Sequence, residues 1–264
     1  MRGNFSLGRT NQGNSAPVRW ESLPEDTKKE FLRGSSFFTD MYLDDSVHTP
    51  AVYKRELIDE FIVQIISGKH GYYGWTDLFL YESFKEFPIK GKEVAIIGSV
   101  TPWYEAVILA YGGFPTTIEY NKIETDDPRL TLMTVEEFNK KPKKFPFVLS
   151  ISSFEHDGLG RYGDPIDPDG DLKAMKNVRE NILEKDGILF LSVPMGKDRL
   201  VFNSHRKYGK GRMRRLIEGY SMQRIIPDNK EKATQILLAE LESGGKGMDT
   251  PYGDFQPVTV LKNK

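Results

Sequence analysis

Two textures of hydrophobic patterning divide the chain. Up to Phe87 the apolar residues recur at helical spacing: Leu57, Ile58, Phe61, Ile62, Ile65 and Ile66 form one stripe within Val52–Ile66, and Gly68 closes that segment. Ser22-Leu-Pro-Glu25 predicts a helix start with Ser22 as N-cap, and Trp75 to Phe87 a short helix that Pro88 ends. After Lys92 short apolar runs alternate with helical patterns. Val94–Gly98, Thr116–Asn121, Leu130–Val135, Phe147–Ser152 and Ile188–Val193 predict strands. Tyr104–Tyr111, stopped by Gly112-Gly113, and Asp171–Leu183, with Leu172, Met175, Val178 and Ile182 on one face, predict helices. Uniformly apolar strands separated by helices indicate a parallel sheet covered on both faces. Tyr220–Ile226 and Pro257–Lys262 add two strands with no tight turn between them, and Asn229–Leu241 reads as helical. The expected organisation is a flexible arm over residues 1–20, a helical cap over 21–90 and an α/β domain over 91–264.

The strand–turn–helix Val94-Ala-Ile-Ile-Gly-Ser-Val-Thr-Pro-Trp-Tyr-Glu105 and the acid Glu119 behind the next strand are arranged as a nucleotide-type site. Gly98 suits a turn with permissive φ, and Ser99 sits where its backbone N–H meets a ligand or its side chain caps the helix. Trp103 either packs or lines the site. Glu119 can accept both hydroxyls of a ribose, with Tyr120 and Asn121 beside it, or stand as a solvated strand-end carboxylate. Pro102 and Trp103 stand where a second and third glycine are usual, which disfavours a pyrophosphate-binding dehydrogenase.

Further polar residues fall at predicted strand ends, the ligand edge of open α/β sheets. Ser153, Glu155 and His156 follow the Phe147 strand, and a histidine there can serve as a general base or simply bond a loop carbonyl. The glycine-rich loop from Gly158 to Gly170 offers Arg161, Tyr162 and Asp164 as acceptor contacts; Arg161 can hold a carboxylate or phosphate by its planar fork. Asn203 and His205 point the same way if Phe202–Arg206 is extended, with Arg206 beside them. The basic run Arg206, Lys207, Lys210, Arg212, Arg214 and Arg215 reads either as a solvated helix face or as an anion contact, and no aromatic base-stacking pattern accompanies it. The aspartates of the long loop fit a turn and helix start better than a metal loop, so no metal is expected. His48 precedes the amphipathic segment and fits a helix-approach loop or a cap over the site.

Composition narrows the picture. The 264 residues carry a formal net charge of -1 and no cysteine, which removes disulfides, thiol catalysis and any global field for nucleic acid. No apolar run approaches the roughly 20 residues of a membrane span. No secretory signal is evident at Met1–Pro17, and a cytoplasmic location is the expectation.

The ordered series of the Gly98 turn, Glu119, Ser152-Ser-Phe-Glu-His156 and Leu183-Glu-Lys-Asp-Gly-Ile-Leu-Phe-Leu-Ser-Val-Pro194 resembles class I S-adenosylmethionine-dependent methyltransferases over about residues 92–264. More narrowly, Thr101-Pro-Trp103, Ser152 to Asp164 and Val201 to Gly209 resemble an uncharacterised family, domain of unknown function 268, grouped with methyltransferase-like proteins. The resemblance implies a Rossmann-like seven-stranded sheet with an antiparallel edge pair, and S-adenosylmethionine as cofactor. It implies cofactor contacts at Gly98, Ser99, Trp103, Glu119, Tyr120, Ser153 and Glu155, and proton removal by His156 or His205. Arg161, Tyr162, Asp164, Asn203 and Arg206 would face a small polar acceptor, possibly a sugar or anionic metabolite methylated on oxygen or nitrogen. A catalytically silent binding or scaffold protein, or an enzyme of another nucleotide ligand, are the competing readings.

Overall fold

The computed structural model describes residues 16–46, 50–227 and 255–264. Residues 1–15 of the expected arm, His48 and the expected Asn229–Leu241 helix lie outside these described residues. After a 3₁₀ turn at Trp20–Ser22 come α1 (Glu25–Leu32), β1 (Phe37–Asp40), β2 (Ala51–Tyr53), α2 (Arg55–Ile66) and α3 (Trp75–Glu86). The alternating part follows as β3 (Glu93–Ile97), α4 (Trp103–Ala110), β4 (Phe114–Glu119), β5 (Ile123–Thr125), β6 (Thr131–Thr134), α5 (Val135–Lys140), β7 (Phe145–Ile151), α6 (Gly170–Asn177) and β8 (Leu183–Ser192). It ends with β9 (Arg199–Phe202), β10 (His205–Lys207), α7 (Lys210–Leu216), β11 (Tyr220–Ile226) and β12 (Val258–Asn263).

The main sheet has seven strands in the order β11-β12-β8-β7-β3-β4-β6. Strands β6, β4, β3, β7 and β8 run parallel, and β12 lies antiparallel between β8 and β11. This is the Rossmann-like seven-stranded sheet expected from the sequence, antiparallel edge pair included. Both faces are covered. Val135, Phe138, Met175, Val178, Ile182 and Leu216 bring α5, α6 and α7 onto one side. Ile58, Ile65, Leu80, Phe84, Val107 and Ile108 bring α2, α3 and α4 onto the other.

Four local expectations are corrected. Val52 does not open the amphipathic helix: Ala51–Tyr53 is a strand paired in parallel with β5, and the helix starts at Arg55. Ile58 and Ile65 of its stripe are buried, whereas Ile66 is 72% exposed. The segment before residue 91 is also not purely helical, because β1 pairs with β9 and β2 with β5, tying it to the sheet domain. Ser22 does not cap α1; its hydroxyl donates to the Arg19 carbonyl at 2.8 Å, and Pro24 precedes the helix. Strand β8 begins earlier than its apolar run, at Leu183. It accommodates Asp186-Gly187 as a bulge, with the register jumping from Phe145↔Leu183 to Phe147↔Ile188.

Two buried carboxyls lie in this architecture with opposite effects. Asp171, in the first turn of α6, is fully buried and accepts from Arg212 Nε at 2.9 Å and Nη2 at 2.5 Å and from the Tyr208 hydroxyl at 2.9 Å, with Arg206 Nε at 3.9 Å. Burial alone would raise its carboxyl; the Arg206 and Arg212 guanidiniums and these hydrogen bonds outweigh burial and hold it below the usual carboxylate range. Glu105, in α4, is the opposite case. Burial lifts it from the ordinary 4.5 to about 7, against a 2.6 Å hydrogen bond from Thr117 Oγ1, and nearby Glu119 adds to the rise. Its Oε2 has no partner among the described residues.

Removing one partner of a buried charge network costs about 3–5 kcal/mol, because the other charges stay buried and uncompensated. Asp171→Ala is therefore expected to lose stability on that scale in urea unfolding, with the slope of the transition unchanged. Glu105 carries the reverse sign. Its pKa is higher folded than unfolded, so it weakens the fold as pH rises from 4.5 through about 7. The penalty reaches about 3 kcal/mol once both states are ionised. Glu105→Gln should thus raise the melting temperature at pH 8 and change it little at pH 4; equal shifts at both pH values would refute the assignment.

Candidate functional site

The parallel strands β3, β4 and β7 end on a cavity of about 650 Å³ at the carboxyl edge of the sheet. Gly98 turns the chain out of β3 with φ of +80°, and a Cβ there would lie 2.3 Å from Ser153 Oγ. Glycine is thus required twice at this position, by backbone conformation and by the approach of the β7 end. The turn presents Ser99, whose N–H donates to Glu119 Oε2 at 3.1 Å, while Glu119 Oε1 accepts from the Tyr120 N–H at 2.7 Å. Glu119 therefore stands at the cavity wall with its carboxylate fixed. A carboxylate has about four acceptor positions, two of them taken here by amides.

Asp45, Ala51, Tyr72 and Tyr73 of the N-terminal segment complete this wall, and Tyr53 is buried behind Ser99. The hydroxyls of Tyr53, from β2, and Ser99 are 3.0 Å apart, and Tyr104 closes the floor with its hydroxyl donating to Asp77 Oδ1 at 2.9 Å. Burial raises the Tyr53 hydroxyl well above its ordinary range, so it is a neutral hydrogen-bonding group. Tyr53 and Tyr104 escaped sequence reasoning, Tyr53 because it sits in a stretch read as helix. Asn121, Lys122 and Ile123 line the side beyond β4.

A second chamber of about 280 Å³ adjoins the first, and Tyr72, Tyr73, Ser152, His156, Arg161 and Tyr162 line both. Glu155 and His205 line the second only. His156 Nδ1 lies 2.6 Å from the Ser204 carbonyl. A carbonyl only accepts, so Nδ1 carries a proton, and Nε2 lies 3.8 Å from Glu155 Oε1. Glu155 is fully buried and accepts from the Ser152 hydroxyl; Ser152 itself holds a left-handed φ of 51° at the end of β7. Burial pushes the Tyr73 hydroxyl up to about 12, which keeps it a neutral donor. Arg161 donates from Nε to Asp45 Oδ2 at 2.6 Å and stacks 4.9 Å over the Tyr162 ring. The Asp45 N–H in turn donates to the Arg161 carbonyl at 3.1 Å. Tyr72 and Tyr73, from the turn before α3, carried no sequence signal beyond being aromatic.

The structure thus brings Gly98, Ser99, Glu119, Ser153, Glu155, His156, Arg161, Tyr162 and His205 to two adjoining chambers, and it withholds five expected residues. Trp103 packs away from the cavity: Phe61 meets its ring edge-on at 5.1 Å, and Gly71 lies so close that a Cβ there would sit 2.7 Å from the indole. Tyr120 leans on the core beneath α5 and α6. Asp164 organises its own loop, accepting from the Gly160 and Tyr162 N–H groups at 3.0 and 3.2 Å. Asn203 is fully buried in the β9–β10 turn with φ of 62°, and its Oδ1 accepts from the Leu43 N–H at 2.5 Å. That turn breaks the extended alternation that paired Asn203 with His205. Arg206 is 2% exposed and donates to the carbonyls of Asp157 at 2.6 Å, Asp167 at 3.3 Å and Pro168 at 3.4 Å. It holds the Gly158–Gly170 loop from behind and does not line either chamber. Among the described residues, no helix is long and apolar enough to cross a membrane.

No curated protein matches the chain. Among solved structures, the Burkholderia thailandensis 1,6-didemethyltoxoflavin-N1-methyltransferase, with bound 1,6-didemethyltoxoflavin and S-adenosylhomocysteine, is 15% identical and covers 83% of this chain and 94% of its own, at a TM-score of 0.49. The Haemonchus contortus phosphoethanolamine N-methyltransferase 2, in complex with phosphomonomethylethanolamine and S-adenosylhomocysteine, is 13% identical, with coverage of 77% and 56% and a TM-score of 0.46. A TehB-like SAM-dependent methyltransferase from Corynebacterium glutamicum is 12% identical, with coverage of 79% and 97% and a TM-score of 0.44. The family model that matches is described as Caenorhabditis protein of unknown function, DUF268, and it spans residues 91–253. That match runs from the first strand of the main sheet to the approach of its last and takes in more than half of the chain, which belongs to the DUF268 family.

Proposed function

We propose that the protein is an S-adenosylmethionine-dependent methyltransferase acting on an oxygen or nitrogen of a small polar acceptor, a sugar or anionic metabolite. The observation that carries this reading is the Glu119 carboxylate. It is fixed at the end of β4 opposite the Gly98 turn, in a cavity of about 650 Å³ that opens into a second chamber with a histidine. The first volume lies within the ordinary range for a cofactor-sized ligand. The fit rests on the two groups a nucleoside needs: an acceptor-rich carboxylate for a ribose diol, and a glycine turn where no side chain can stand.

When bound, S-adenosylmethionine supplies an electrophilic methyl group on a sulfonium. Glu119 would hold its hydroxyls, and Ser99 and Tyr104 shape the wall beside it. In the adjoining chamber His156 Nε2 takes the proton of the acceptor O–H or N–H, while the Ser204 carbonyl keeps the proton on Nδ1. Glu155, 3.8 Å from Nε2, stabilises the imidazolium that forms. Arg161 keeps donors of its planar fork beyond the Asp45 bond and orients a hydroxylated or anionic acceptor. His205 is the second candidate base, with its Nδ1 2.9 Å from Ser204 Oγ. In this reading residues 91–264 carry the donor site, and residues 21–90 supply one wall and the tyrosines between the chambers.

Titration calorimetry with S-adenosylhomocysteine tests the first step. The wild type is expected to bind, and Glu119→Gln to bind about tenfold or more weakly, the loss of a charged acceptor to two hydroxyls, with little change in melting temperature. Failure of the wild type to bind either S-adenosylhomocysteine or S-adenosylmethionine sinks the proposal and favours a scaffold or another nucleotide. His156→Asn is expected to keep that affinity and to slow methyl incorporation from labelled donor into polar metabolite pools by about a hundredfold or more.

A further inference from the structure

The stretch between β1 and β2 ties the two sides of the cavity together. Before it, β1 is paired with β9, whose neighbour β10 carries His205 to the second chamber. After it, β2 is paired with β5, whose first residue, Ile123, lines the larger cavity. Residues 41–46 are held at points of different strength. Tyr42 packs under the Arg19 guanidinium, 4.0 Å from the ring centroid. The Leu43 N–H donates at 2.5 Å to Oδ1 of the fully buried Asn203, so this anchor is inside the protein. Asp44 Oδ1 accepts from the Ser46 N–H at 3.1 Å and from its hydroxyl at 2.6 Å, which curls the segment round Asp45.

Asp45 is the outer contact. Its N–H donates to the Arg161 carbonyl at 3.1 Å, and its Oδ2 accepts from Arg161 Nε at 2.6 Å. The two bonds join the same pair of residues, so lifting Asp45 breaks both at once. Both residues line the cavity of about 650 Å³, and their contact joins the N-terminal segment to the Gly158–Gly170 loop there. The pair is weakly held. The Asp45 side chain is 43% exposed and that of Arg161 22%, and an ion pair so open to water contributes little. Among the described residues, neither terminal nitrogen of Arg161 has a hydrogen-bond partner. The contact thus fixes Nε and leaves the other donors of the fork to a ligand.

We propose that residues 41–46 are a strap over this cavity, pivoting at Leu43 on Asn203 and latched at Asp45 on Arg161, which opens to admit a ligand and closes behind it. A buried hydrogen bond at one end and a water-exposed ion pair at the other give the strap a pivot and a releasable end. Closure also returns Arg161 to a fixed direction, so ligand entry and the orienting of the guanidinium are one movement. The identity of the ligand rests on the methyltransferase reading above; the motion of the strap does not.

The chain has no cysteine, and a Cβ on Gly163 would lie 3.8 Å from that of Ser46, a distance a disulfide spans. Ser46→Cys with Gly163→Cys therefore gives one switchable clasp across the latch. Stopped-flow association of S-adenosylhomocysteine is expected to be at least about tenfold slower in the oxidised form than in the same protein after dithiothreitol. A second arm needs no ligand. Amide hydrogen exchange of residues 41–46, corrected for intrinsic rates, should be about two- to fivefold faster in Asp45→Ala than in wild type, with the parallel strands unchanged. Gly163 holds a left-handed φ of 79°, where cysteine is strained; if the double variant does not fold, the exchange arm decides. A wild type that binds no S-adenosylhomocysteine sinks the methyltransferase reading and leaves the strap to the exchange arm. Equal association in the oxidised and reduced forms overturns the strap, as does a folded double variant that forms no disulfide under oxidant. Unchanged exchange of residues 41–46 in Asp45→Ala overturns it too.

Discussion

The buried carboxylate of Asp171 is the point on which the functional half of the molecule turns. A fully buried carboxylate is tolerable only where cations and donors surround it. Here Arg212 comes from α7, Tyr208 from the end of β10, and Arg206 from β10 itself. Once Asp171 has drawn in Arg206, that guanidinium has donors left over, and they reach the backbone carbonyls of Asp157, Asp167 and Pro168. The loop carrying Arg161 and Tyr162 is therefore held at both ends by one side chain. The same loop begins at His156, whose ring is fixed by the Ser204 carbonyl two residues before Arg206. A charge inside the core thereby sets the geometry of a chamber at the surface.

The donor side rests on a different principle. Ser99 and Glu119 are joined by a backbone hydrogen bond, and neither needs burial of a charge pair to stay in place. The constraint is steric: Gly98 must be glycine because Ser153 occupies the space of its side chain. The glycines missing after Gly98 are replaced by a helix N-terminus that starts early, at Trp103, with its first side chain turned into the core. The loop is thus stiff and short, and the tyrosines of the N-terminal segment form the wall that a longer glycine loop would otherwise have to leave open.

What the sequence revealed follows from this division. The strands, the Gly98 turn and Glu119 were legible because each is local: a run of apolar residues, a turn residue at its end, an acid at the end of the next run. Trp103, Asn203 and Arg206 were misread for one shared reason. Their positions along the chain are those of site residues, and direction, which sequence spacing does not fix, sends them into the core. For Asn203 a single left-handed residue is enough to break the alternation. For Arg206 the deciding partner, Asp171, lies 35 positions upstream on another element, so no local pattern signals it. Tyr53 was hidden because the helical periodicity of α2 extends by chance over the strand before it.

Strand β10 shows how such directions divide labour. Within three successive residues, His205 lines the second chamber, Arg206 is 2% exposed and ties down a loop, and Lys207 lies across from Arg199 of β9. The strand is short, and its partner β9 is itself pinned by β1, so these three directions are fixed together. One wall of the second chamber and a cation of the buried Asp171 network are consequently placed on one rigid element. A run of basic residues that reads along the chain as a single solvated face is, in the folded protein, a set of separate tasks. Arg212 neutralises a core carboxylate, Arg206 ties down a loop, and Lys207 stands across from Arg199, facing a charge like its own.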